Sequence, residues 1–100
     1  MITRDALLIL KGHNVTAWRQ NNHATRGRMN NVKKGVSDII GYNNSTGVAV
    51  FVEVKKIGDK LSREQKDLLT HAARSGCIVM IATQGDGFYT ELIDYMEYIK

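Results

Sequence analysis

The segment Gly35–Lys55 limits what this chain can become more than any other. It reads Gly35-Val-Ser-Asp-Ile-Ile-Gly-Tyr42, then a polar turn Asn43-Asn-Ser-Thr-Gly47, then Val48-Ala-Val-Phe-Val-Glu-Val-Lys55. Two runs rich in β-branched and aromatic residues, separated by a Gly-containing turn, predict an antiparallel hairpin. Glu53 and Lys55 interrupt its otherwise apolar second strand. Residues two apart in a strand point the same way, about 6.6 Å from each other. Pairing across the hairpin brings Asp38 of the first strand beside Glu53. Two carboxylates and an ammonium group then converge on one patch, which is the chemistry of a divalent-metal site with a lysine next to it.

The rest of the chain frames that hairpin. Thr3 is placed to cap a short helix over Arg4 to Lys11, with Leu7, Leu8 and Leu10 apolar and Gly12 at its end. Asn14 to Gln20 alternates as a strand does, with Val15, Ala17 and Arg19 on one face and Thr16, Trp18 and Gln20 on the other. Asn21 to Asn31 is polar, basic and without a period, and reads as a loop. Ser62 and Gln65 have the spacing of a capping box at the start of a helix that buries Leu68, Leu69, Ala72 and Ala73 and stops at Gly76. Cys77-Ile-Val-Met-Ile-Ala82 is a continuous apolar run, as in a strand covered on both faces. Thr90 fits the cap of a closing helix over Glu91 to Tyr98. The predicted class is α/β, in the order α-β-β-β-α-β-α, with a mixed central sheet flanked by helices.

One hundred residues form one domain, taken here as 1–100, with room for a single modest core. Fourteen Lys and Arg against ten Asp and Glu give a net charge of +4, which favours polyanionic partners. Many of the cations, including Arg19, Arg26, Arg28, Lys33, Lys34 and Lys56, flank the hairpin, whereas the C-terminal stretch is acidic and aromatic. No apolar run approaches the ~18–20 residues of a membrane span, and the first residues lack signal-peptide anatomy. With one cysteine, Cys77, the expectation is a soluble cytoplasmic protein without membrane association. No glycine-rich cofactor loop, nucleophile elbow or metal-binding histidine pair is present, so no nucleotide cofactor is expected.

Asp38, then Glu53-Val54-Lys55 after fourteen intervening residues, resembles the PD-(D/E)XK nuclease signature. The chain is more closely similar to the virus-type replication-repair nuclease (VRR-NUC) domain of minimal stand-alone phage and bacterial type. The matching residues are Trp18-Arg19-Gln20-Asn21, Lys34-Gly35-Val36-Ser37-Asp38, Val52-Glu53-Val54-Lys55 and Ser62-Arg63-Glu64-Gln65. The resemblance implies a restriction-endonuclease-like core and a Mg²⁺- or Mn²⁺-dependent endodeoxyribonuclease. Asp38, Glu53 and the carbonyl of Val54 would hold the metal. Lys55 would orient or deprotonate the attacking water, with Gln65 assisting from the helix. Gln65 equally fits a purely capping role, Glu53 and Lys55 a surface ion pair, and Arg19 either a phosphate contact or a carboxylate partner.

Arg19, Arg26, Arg28, Lys33, Lys34 and Lys56 are the candidate DNA contacts. Relatives of this size imply a homodimer acting on branched DNA such as the four-way junction, that is, a Holliday-junction resolvase in recombination and repair. The aromatic C-terminal stretch Phe88, Tyr89, Tyr95, Met96 and Tyr98 is the candidate dimer surface. The chain departs from the superfamily pattern in lacking the usual acid on the first helix, where Asp5 is the sole carboxylate before Asp38. Asp5 could substitute for that acid; otherwise the departure supports a catalytically silent DNA-binding module, or a site with a single or weakly bound metal. A flap- or single-strand-processing nuclease built on the same site is a further alternative.

Overall fold

The computed structural model describes residues 2–20, 37–56, 58–85 and 88–100. Arg26, Arg28, Lys33 and Lys34, together with the loop read over Asn21 to Asn31, lie outside the described residues. The elements are α1 (Ile2–Gly12), β1 (Val15–Arg19), β2 (Ile39–Asn43), β3 (Ala49–Val54), α2 (Arg63–Arg74), β4 (Ile78–Gln84), β5 (Thr90–Asp94) and α3 (Tyr95–Tyr98). The five strands lie in the order β1-β2-β3-β4-β5. Only β3 and β4 pair in parallel; the other three pairings are antiparallel. The sheet is mixed, as expected, and α2 makes the crossover that a parallel pair requires.

Alternation along the strands sorts the core into two layers. On one face Ile39, Val50, Val52 and Ala82 meet Ala6 and Leu10 of α1, with Ile2 packed alongside. These helix residues recur every fourth position, the spacing of one helical stripe. On the other face Val79 and Ile81 meet Leu69 and Ala72 of α2 and Tyr95 of α3, with Phe51 beside them. β4 is thus covered on both sides, which accounts for its unbroken apolar sequence.

The predicted hairpin is present in register, with Tyr42 opposite Ala49 and Ile39 opposite Val52. Its turn is fixed by the Asn43 side chain, whose Oδ1 accepts from the backbone N–H of Ser45 and Thr46. The capping box forms: Gln65 N–H donates to Ser62 Oγ, and Ser62 N–H donates to Gln65 Oε1. Gly76, with φ 97°, follows the last turn of α2. At α1 the helix starts at Ile2, so Thr3 lies within its first turn instead of capping it.

The C-terminal segment differs from expectation. Residues Thr90–Asp94 form an edge strand paired with β4, from Gln84 opposite Thr90 to Met80 opposite Asp94. The helix is confined to Tyr95–Tyr98, and Asp94, not Thr90, caps it by accepting from Met96 N–H. Pairing with an otherwise open edge of β4 satisfies five residues of backbone at once. It also directs Leu92 into the α1 layer. That gain outweighs a short and weakly capped helix.

Candidate active site

The hairpin turn at Asn43 and the α2 cap at Ser62 bring three elements to one end of the central strands. β3 runs toward this end and stops at Val54. The antiparallel β2 starts there, so Asp38, immediately before Ile39, sits across from Glu53 one step beyond the Ile39–Val52 pair. α2 begins at the same end, directing Gln65 toward β3.

Asp38 is anchored by its side chain and its backbone. Its Oδ2 accepts from Val54 N–H at 2.9 Å. Its carbonyl accepts from Gln20 N–H at 2.7 Å, tying the end of β1 to the site. Glu53 is 2% exposed, a rare position for a carboxylate. Its Oε1 accepts from Gln65 Nε2 at 2.9 Å. Its Oε2 is buried and has no donor directed at it. The Glu53 pKa is accordingly pushed up from its usual 4.5 to about 8. Burial away from water is the main cause, followed by hydrogen bonding to Asp38 and the charge of Asp38; Lys55 pulls in the opposite direction. A hydrogen bond between the two carboxyl groups requires a proton on one of them, because two ionised carboxylates have no donor between them.

Lys55 follows on the strand face of Glu53, and its Nζ lies 3.4 Å from the Lys60 carbonyl. Its backbone N–H donates to Ala82, so the strand is still pinned to β4 where the ammonium group leaves the sheet. Gln65 has the capping partner expected of it and a second partner, Glu53 instead of Lys55. One end of its amide caps α2, and the other holds Glu53. The structure therefore gathers Asp38, Glu53, Lys55 and Gln65, with the Val54 backbone between them.

The residues fit a divalent cation. A buried, unpaired carboxylate oxygen beside a second carboxylate is a hard-oxygen site whose mutual repulsion a cation would relieve. Asp5 does not join it: Thr90 Oγ1 donates to its Oδ2 at 3.2 Å, and Arg4 lies 3.7 Å from its Oδ1. Among the described residues no three His, Cys, Asp or Glu side chains cluster as a metal cage. Arg19 is exposed and alternates onto the α1 face, opposite Ile39, away from the Asp38–Glu53 face. Lys56 is exposed just past the end of β3. The aromatic C-terminal stretch is not one patch, for Tyr95 is 1% exposed and bonded to Thr70, while Phe88, Tyr89 and Met96 are on the surface.

A mixed sheet between helices, with an Asp, a Glu and a Lys at the open end of its hairpin, defines the class of PD-(D/E)XK nucleases. The chain matches the VRR-NUC domain over residues 4–84 and belongs to that family. A similar solved structure is Hjc from Archaeoglobus fulgidus, a Holliday junction resolvase from an archaeal hyperthermophile. It superimposes with a TM-score of 0.62 at 20% identity, over 93% of this chain and 74% of that one. At that identity the likeness is one of fold. No curated relative matches the chain. Among the described residues, no helix is long and apolar enough to cross a membrane.

Proposed function

We propose that this chain is a single nuclease domain that hydrolyses phosphodiester bonds in branched DNA, the four-way junction foremost, and acts as a homodimer. The observation that carries the reading is the buried Glu53 carboxylate beside Asp38, with one oxygen held by Gln65 and the other left for a cation. Asp38, Glu53 and the Val54 carbonyl would hold Mg²⁺ or Mn²⁺. Such an ion, when bound, neutralises phosphate charge and lowers the pKa of water. Lys55 orients the attacking water and stabilises the charge that develops on the phosphate. Gln65 fixes the Glu53 carboxylate, and Asp38 is fixed by Val54 N–H, so neither ligand has to be ordered when DNA arrives.

Phosphate contacts by Lys56 and Arg19, and by Arg26, Arg28, Lys33 and Lys34 of the segment between β1 and β2, make binding salt-dependent and insensitive to base sequence. A two-fold dimer supplies the two sites that paired cuts across a junction require. A second reading, a silent DNA-binding module, draws support from Asp5 being engaged at β5 instead of at the site.

Substrate comparison decides among these readings. End-labelled four-way junction, flap, single strand and linear duplex are incubated with Mg²⁺, Mn²⁺ or chelator. Paired symmetric nicks in the junction support the resolvase. Cutting confined to flaps or single strands keeps the site and changes the substrate. Tight junction binding without cutting in either metal supports the silent module.

A further inference from the structure

The half of the α2-side sheet face that α2 leaves uncovered carries two aromatic rings. α2 packs over β4 and against α3, and among the described residues neither Trp18 of β1 nor Tyr42 of β2 joins a core cluster. Trp18 is 47% exposed and Tyr42 43%. Their rings meet edge to face, with centroids 6.5 Å apart and planes at 67°. Trp18 sits opposite Ile40, which itself sits opposite Phe51. Asp38 is two residues before Ile40 on the same face, about 8 Å from Trp18 by sheet spacing. The rings and the site therefore lie on one face of the sheet.

We propose that Trp18, backed by Tyr42, is a stacking platform for an unpaired nucleobase of the DNA strand whose backbone lies at Asp38 and Glu53. The inference rests on the nuclease reading above and names a substrate subsite for it. Every base has a π-face, so stacking accepts any sequence, as the absence of a base-reading motif requires. The strands β1 and β2 carry no carboxylate that would repel a polyanion on this face. The size suits a base better than a second protein chain. Two half-exposed rings are framed by polar groups, with Thr16 Oγ1 bonded to exposed Asn44. Such a patch falls far short of the ~800 Å² per partner of a stable protein interface. A branch point interrupts continuous stacking, so a base there is freed from its neighbours at less cost than one inside a duplex.

Trp18 is the one tryptophan of the chain, so its emission reports on the platform alone. Wild type is titrated in chelator with junction, single strand and blunt duplex, with DNA binding followed in parallel by anisotropy of labelled DNA. The expected result is quenching by junction and single strand, little by blunt duplex, and loss of quenching when abasic positions replace the nucleotides at the branch. Trp18→Ala weakens binding of junction and single strand roughly tenfold to a hundredfold and leaves duplex binding within about twofold. Tyr42→Ala, which leaves the Trp18 ring in place, gives a smaller loss in the same direction. DNA binding without any change in emission would overturn the platform, as would equal weakening for all three DNAs. So would a dimer that Trp18→Ala turns to monomer with unchanged affinity per subunit. Metal-dependent junction cleavage by wild type without quenching removes the platform and keeps the nuclease. Quenching by junction without cleavage in any metal keeps the platform and removes the nuclease.

Discussion

Gln65 joins two structures that are otherwise independent: its Oε1 completes the capping box of α2, and its Nε2 donates to Glu53 across 2.9 Å. The start of a helix and the orientation of a buried carboxylate thus depend on one side chain. The arrangement separates stability from chemistry. Ser62→Ala removes only the cap and is expected to cost about 1 kcal/mol, or 4–8 °C in Tm, with near-normal cleavage. Gln65→Ala leaves the Ser62 Oγ cap, removes the reciprocal half of the box and releases Glu53, and is expected to lower metal affinity or cleavage about 10- to 100-fold. Equal activity for the two variants at matched folded fraction would refute a positioning role for Gln65.

The raised pKa of Glu53 fixes the sign of a pH dependence. Folded Glu53 holds its proton up to about pH 8, against 4.5 when unfolded. Its contribution to stability is therefore fully present below about pH 4.5 and lost as pH rises through 8. In chelator, the denaturant midpoint of wild type is expected to fall across this window relative to Glu53→Gln, which stays neutral and keeps an acceptor for Gln65. A difference between the two that grows in favour of wild type with rising pH would contradict the account.

Metal addition reverses that balance. A cation stabilises the ionised pair, so its affinity is expected to rise between about pH 5 and 8 with proton release, measurable as a buffer-dependent heat by titration calorimetry. Asp38→Asn should lose this proton release together with most of the affinity.

Gly41 lets β1 approach β2. A Cβ there would lie 2.7 Å from Ala17 Cα and closer still to the Thr16 carbonyl oxygen. Both are backbone atoms that cannot turn aside. Gly41→Ala is expected to push β1 away, cost on the order of 1–3 kcal/mol, and disturb the Gln20–Asp38 link as well. Thermal unfolding checks the first effect and cleavage at matched folded fraction the second.

Local signals made most of the fold legible. The hairpin, the capping box and the doubly buried β4 each follow from contacts within a few residues, or from burial on both sides. The convergence of Asp38 and Glu53 was legible too, because the turn length at Asn43–Gly47 fixes the register. The strand Thr90–Asp94 was not. Its Leu92, Ile93 and Met96 suit a helical stripe as well as a strand, and a long-range pairing with β4 decided between them. The bond from Gln65 to Glu53 was hidden for a similar reason. Capping is local, but reaching Glu53 depends on where α2 docks. The sequence also could not show that α2 stops short of β1 and β2, leaving Trp18 and Tyr42 at the surface.

The central claim is that the Asp38–Glu53 pair makes this domain a metal-dependent nuclease. Its most direct test is cleavage of an end-labelled four-way junction by wild type and Asp38→Asn, each with Mg²⁺, with Mn²⁺ and with chelator. The prediction is cutting by wild type in metal alone, and a loss of at least about a hundredfold in Asp38→Asn with junction binding retained. Equal cutting by the two proteins, or cutting that persists in chelator, would contradict it.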